Sequence, residues 1–220
     1  MPALEEHHFS ARLDCRYIVQ APEECDESVV VIALHGYGMD AETMLRLAAT
    51  WFTKYKIVSM QAPHPFYTKW ESREVGYSWA THLQSEESVR LHHEMLHQVL
   101  RETGVVADKA LLLGFSQPVG LNYRFAATYP CVVRGVIGVC GGMPKDWETG
   151  SYRRVDASLL HIARTEDEIY KVEVTRKYKE RLSARADDVE YLEFAGGHRF
   201  PSLARPAVDE WVRRKFRPLT

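Results

Sequence analysis

Residues 29–36, VVVIALHG, form an apolar run rich in β-branched side chains that closes on a glycine. Such a run is too short for a core helix and far too short for a membrane span, and its β-branched content favours extended chain. A strand without polar alternation must be buried on both faces, which a parallel sheet flanked by helices achieves. Runs of the same kind follow in KIVSMQAP, KALLLGFS, VRGVIGVCGG, SLLHIAR and VEYLEFAGG. Between them, amphipathic stretches predict helices over 41–52, 86–103, 119–128, 172–182 and 207–216. The expected fold class is α/β, with a mostly parallel central sheet and helices on both faces. No linker or internal repeat interrupts the alternation, so residues 1–220 are expected to form one domain. With 45% hydrophobic residues it can enclose a buried site.

One stretch departs from the pattern. His64 to Leu83, HPFYTKWESREVGYSWATHL, reads as a long loop carrying Phe66, Tyr67, Trp70, Tyr77 and Trp79. Its aromatics suit either a satellite cluster that packs the loop down or a wall of the substrate site, for which Trp70, Tyr77 and Trp79 are the candidates. The segment GGMPKDWETGSYRRVDASLL is too short to form a helical lid domain, so a site at this sheet is expected to be fairly open.

Charge excludes other classes. With 28 basic and 30 acidic residues intermixed and a net charge of -2, the chain has no electrostatic footprint for nucleic acid. Arg213 to Arg217, RRKFR, falls at the end of a predicted helix, where basic side chains favour the dipole. The N-terminal MPALEEHHFS is acidic and lacks an apolar segment, so neither a signal peptide nor stable membrane insertion is expected, and the cytoplasm is the expected location. Cys15, Cys25, Cys131 and Cys140 form no C-x-x-C pair and are expected to be reduced. The chain is compatible with a monomer or a homodimer.

Three motifs suggest chemistry. His93-Glu94-Met95-Leu96-His97 matches H-E-x-x-H, which on a helix would offer His93 and His97 to zinc with Glu94 as base. Its context argues against a zinc peptidase: Val89, Leu96, Val99 and Leu100 define the buried stripe, with His93 at its edge, His97 beyond it and Glu94 pointing away. Leu100 also replaces the glycine of the extended form. Neither a metal nor a cofactor is therefore expected. Gly76-Tyr77-Ser78-Trp79-Ala80 fits a loosened G-x-S-x-[GA], but Lys69 to Glu74 before it is no buried strand. Ser78 reads as a loop serine.

Gly114-Phe115-Ser116-Gln117-Pro118 has the setting that a nucleophile elbow requires, a buried strand before the serine and an amphipathic helix after it. The turn would lift Ser116 above the C-terminal edge of the sheet, with the Gln117 amide at the helix N-terminus. A serine hydroxyl needs a base, and the base needs an orienting carboxylate. In FAGGHRFP, His198 follows a strand in a Gly-rich loop, whereas His161 lies inside an apolar run and reads as core. In ARTEDEIY, Glu166, Asp167 and Glu168 lie just after a strand, and any of them could hold the imidazole. LHGYGMD supplies a second oxyanion donor, the Tyr37 amide, between Gly36 and Gly38. Pro118 stands where such elbows carry a small residue, but the first helical turn accommodates proline.

LHGYGMD, GFSQ, the acid near residue 167 and GGH at 196–198 together resemble the small serine carboxylesterase and phospholipase family that includes the acyl-protein thioesterases. The resemblance spans Leu34 to His198. It implies an α/β-hydrolase with no sizeable lid, acting without a metal on small-molecule ester or thioester bonds through Ser116, Asp167 and His198. Two positions depart from the family pattern: Arg164 replaces the glycine three residues before Asp167, and Pro118 replaces the glycine after GFSQ. A non-catalytic binding protein with an elbow spoiled by Pro118 is the other reading.

Overall fold

The computed structural model describes residues 4–9, 11–83 and 85–216, so Met1 to Ala3, Ser10 and Arg217 of the segments read above lie outside it. The chain opens with β1 (Tyr17–Gln20), β2 (Val30–Leu34), α1 (Ala41–Ala49) and β3 (Lys56–Met60). Next come β4 (His64–Lys69), β5 (Glu74–Ser78), α2 (Ser85–Glu102), β6 (Ala110–Phe115) and α3 (Pro118–Thr128). The remainder supplies β7 (Gly135–Val139), β8 (Ser158–Arg164), α4 (Val172–Thr175), α5 (Tyr178–Ser183), β9 (Val189–Phe194) and α6 (Arg205–Lys215).

The central sheet has seven strands in the order β1-β3-β2-β6-β7-β8-β9. All neighbours are parallel except β1, which pairs antiparallel with β3 at the edge. Each apolar run divides its side chains between two cores, as period-2 geometry requires. Ile32, Leu34 and Leu112 join Leu96, Phe125 and Leu182 under α2, α3 and α5. Val31, Ala33, Leu111 and Leu113 join Met44, Val208 and Trp211 under α1 and α6. Among the described residues no helix is long and apolar enough to cross a membrane.

The structure corrects the expected elements in three places. The 64–83 stretch is not a loop: β4 and β5 pair antiparallel as a separate two-stranded sheet. The charged turn around Lys69 to Glu74 hides the alternation that marks the two strands, and Arg73 closes it at φ 54°. The helix expected over 172–182 is two short ones, because β-branched Val172, Val174 and Thr175 give the first turn little helix propensity. Ser78 ends a strand rather than lying in a loop.

Sheet order decides what can meet. The C-terminal ends of β6, β8 and β9 and the loop after β2 all open on the same edge, so Ser116, Asp167, His198 and Tyr37 are carried there by separate parallel strands.

Candidate active site

Ser116 follows β6 directly and has φ 64°, a left-handed conformation that costs a non-glycine residue roughly 1–3 kcal/mol. Neighbouring backbone holds it there. The Ser116 amide donates to the Val139 carbonyl at 2.8 Å, and its carbonyl accepts from the Val119 amide at 3.3 Å. The turn aims the side chain at the loop after β9, where Ser116 Oγ lies 2.9 Å from His198 Nε2.

His198 Nδ1 lies 2.9 Å from Asp167 Oδ2. The other carboxylate oxygen, Oδ1, accepts from the backbone amides of Ile169 and Tyr170 at 2.9 and 2.8 Å, so Asp167 is fixed by its own turn. Its side chain is only 1% exposed and that of His198 12%, which limits competition from water. The three acidic candidates separate clearly. Glu168 accepts from the His198 backbone amide at 3.0 Å and braces the loop, whereas exposed Glu166 uses its amide to bond the Gly196 carbonyl. Phe115 stacks on the imidazole with ring centroids 5.3 Å apart.

Cys140 adjoins this group: one ligand atom each from Cys140, Asp167 and His198 lie within 4.8 Å of one another. Burial, reinforced by the nearby Asp167 charge, pushes the thiol up to about 12, so it packs as a neutral group. Asp167 and His198 are already bonded to each other.

The loop after β2 is organised by a histidine that sequence reasoning missed. Fully buried His35 donates from Nδ1 to the Gly36 carbonyl at 2.7 Å and accepts at Nε2 from the Ala62 amide at 3.0 Å. Burial lowers its pKa and keeps it neutral. The hairpin braces the loop from outside: Gly38 N–H donates to the Tyr77 carbonyl at 2.9 Å and Tyr77 N–H to the Met39 carbonyl at 3.2 Å. Gly76 permits that approach, since a Cβ there would stand 2.4 Å from the Gly38 carbonyl oxygen. Among the described residues, the Tyr37 and Gln117 amides have no protein acceptor. Both are free to face a developing oxyanion.

Pro118 opens α3 and is buried. Gln117 before it adopts φ -54° and ψ -46°, the α region that a following proline disfavours. Its side chain supplies the restraint. Oε1 accepts from the Trp79 amide at 2.8 Å, and Nε2 donates to Ser78 Oγ at 2.9 Å and to the Ala80 carbonyl at 3.0 Å. A lone glutamine gives no sequence signal for such an anchor, because its partners lie at and just beyond the end of β5, far away in sequence.

The three aromatic candidates for substrate binding part company. Trp79 is corrected: it is fully buried, its indole donates to the His35 carbonyl at 2.7 Å, and it cannot line an open site. Tyr77 is partly buried against the core. Trp70 is 75% exposed at the hairpin tip, edge-on to Tyr67. The H-E-x-x-H histidines face rings rather than acids. His93 and His97 both pack on Phe125 and Tyr129, and Glu94 points outward to Arg90.

The sequence model of a family described as phospholipase/carboxylesterase matches residues 15–211. No curated protein sequence matches the chain. Among solved structures, esterase PE8 superposes with a TM-score of 0.75 at 20% identity, covering 92% of this chain and 100% of its own. A carboxylesterase from Mesorhizobium loti gives a TM-score of 0.75 at 19% identity over 91% of this chain and 95% of its own. Zea mays acyl-protein thioesterase 2 gives 0.69 at 15% identity over 92% and 99%. These structures share the α/β-hydrolase fold with this chain.

Proposed function

The chain belongs to the phospholipase/carboxylesterase family, and from that premise we propose that it cleaves carboxylic esters by acyl transfer through Ser116, His198 and Asp167. The observation that carries this reading is the pair of 2.9 Å contacts linking Ser116 Oγ to His198 Nε2 and His198 Nδ1 to Asp167 Oδ2. Asp167 keeps the Nδ1 proton in place, so Nε2 is the nitrogen able to take the serine proton.

The cycle follows from these positions. Ser116 Oγ attacks the ester carbonyl as His198 Nε2 takes its proton. The negative charge on the carbonyl oxygen is met by the Tyr37 and Gln117 amides. His198 then returns the proton to the leaving alcohol as the acyl–oxygen bond breaks, and a water activated by the same nitrogen clears the acyl-enzyme. Thioesters share the first step. The substrate is a small-molecule ester, and the enzyme acts in the cytoplasm as a single domain over residues 1–220.

A fluorophosphonate probe tests the reading. Covalent labelling of the folded wild type that disappears in Ser116→Ala is expected. Unlabelled folded wild type, or equal labelling of the mutant, would overturn it in favour of a non-catalytic binding protein.

A further inference from the structure

Tyr170 lies three residues beyond Asp167 and does two things at once. Its amide donates to Asp167 Oδ1 at 2.8 Å, while its half-buried ring leans back over the site. The ring centroid lies 5.7 Å from that of His198 at an interplanar angle of 36°. A ring carbon lies 3.1 Å from where a Cβ on Gly142 would stand, so glycine makes room for the tyrosine. The hydroxyl lies near the Ser116 side chain, whose own hydrogen-bond partner is His198 Nε2 at 2.9 Å. Burial pushes the phenol up, so it stays protonated at neutral pH and can act as a donor.

Sheet order gives this hydroxyl a side. Ser116 follows β6, which lies between β2 and β7. The proposed oxyanion donor Tyr37 follows β2 and stacks on Phe66 of β4, with centroids 4.6 Å apart. Tyr170 approaches the site from the opposite direction, past Gly142 beyond β7 and beside His198 beyond β9. In acyl transfer the oxygen that departs is the one facing the histidine, because Nε2 must protonate it. Tyr170 and His198 therefore converge on the leaving group, while the amides serve the carbonyl oxygen.

We propose that the Tyr170 hydroxyl forms a leaving-group subsite that makes this chain a hydrolase of oxygen esters with poorly acidic alcohols in preference to thioesters. The inference rests on the acyl-transfer reading above. As the acyl–oxygen bond breaks, the electron pair goes to the alcohol oxygen, the proton on His198 Nε2 moves to that oxygen, and Tyr170 donates a hydrogen bond while keeping its own proton. An alcohol oxygen carrying developing charge is a strong acceptor. Sulfur is a weak acceptor, and a thiolate leaves without such help because thiols are far more acidic than the corresponding alcohols.

The test compares ethyl butyrate, p-nitrophenyl butyrate and S-ethyl thiobutyrate, which share one acyl group, on wild type and Tyr170→Phe. The variant keeps the ring and the Asp167 amide contact. It is expected to lose about tenfold in kcat/KM on the ethyl ester, the worth of one hydrogen bond of about 1.4 kcal/mol, and less than twofold on the other two. Wild type itself is expected to favour the ethyl ester over the thioester once the rates are divided by those of uncatalysed hydroxide hydrolysis. Equal losses on all three would assign the ring a packing role only, a gain would make Tyr170 an obstruction, and a corrected preference for the thioester would sink the subsite. Fluorophosphonate labelling run in parallel separates the two levels. Wild type that fails to label defeats the acyl-transfer reading, whereas labelled, active protein with a flat Tyr170→Phe profile defeats only the subsite.

Discussion

Two Gly-x-Ser segments meet in this molecule, Gly76-Tyr77-Ser78 at the end of β5 and Gly114-Phe115-Ser116 at the end of β6, and their serines have opposite fates. Both are nearly buried, at 3% and 8% exposure, so accessibility does not separate them. Their partners do. The Ser78 hydroxyl donates to the Ala80 carbonyl at 2.9 Å and accepts from Gln117, so its proton is held by a backbone oxygen that cannot act as a base. The Ser116 hydroxyl meets His198 Nε2. The glycines differ too: Gly76 lets the hairpin close on the Gly38 loop, whereas Gly114 lies where α3 folds back, with Asn122 Nδ2 2.8 Å from a Cβ placed there. A shared motif thus serves as scaffold in one segment and as the proposed reactive centre in the other, and Gln117 joins the two.

The sharpest test of that contrast is to remove each hydroxyl. Ser116→Ala is expected to lower kcat on the order of a millionfold. Ser78→Ala is expected to cost less than about tenfold, because only one strut of Gln117 is lost. Comparable losses in kcat would erase the distinction. Removing the orienter comes next: Asp167→Asn is expected to lower kcat about 10⁴-fold by favouring the wrong imidazole tautomer, with little change in KM.

The link between the two segments is tested by Gln117→Ala. Without its anchors the backbone before Pro118 is free to leave the α region, and kcat is expected to fall about ten- to a hundredfold. Adding Pro118→Gly is expected to recover most of that loss, since glycine lifts the restriction on residue 117. Alone, Pro118→Gly is expected to keep activity within about tenfold. A double mutant no better than Gln117→Ala would show that proline exerts no strain on the elbow.

Stability gives a smaller, independent contrast. The β5 end rests on the helix histidines, with Trp79 5.6 Å from His92 and His92 5.7 Å from His93. Burial lowers His92 to about 3 and His93 to about 4, and His161 in the core to about 3. These groups bind protons in the unfolded chain below its ordinary value of 6.5 but not in the folded one. Stability is therefore full above pH 6.5 and is lost as pH falls from there toward 3. Urea midpoints measured across that window should fall, and less so in His92→Gln. An unchanged slope in that variant would mean His92 carries none of the linkage.

Much of the fold could be read from local pattern, because the two-faced burial of parallel strands forces long apolar runs and an elbow needs its strand and helix next to it in sequence. Where charge interrupted the pattern, as between β4 and β5, the reading failed. Choosing among Glu166, Asp167 and Glu168 was equally out of reach, since adjacent carboxylates differ only in the direction the turn gives them.

What the sequence by itself determined is the alternation of strand and helix, the setting of Ser116 and the chain order of serine, acid and histidine, all consequences of near-neighbour sterics and burial. The tertiary structure alone decided that Asp167 meets the imidazole, that Trp79 is sealed in the core, that Gln117 is tied to the hairpin and that the Tyr170 ring lies beside His198. Each of these depends on hydrogen bonds or ring contacts between separate strands or loops, and their strength falls off within an ångström and a few tens of degrees. Sequence pattern carries no such directions.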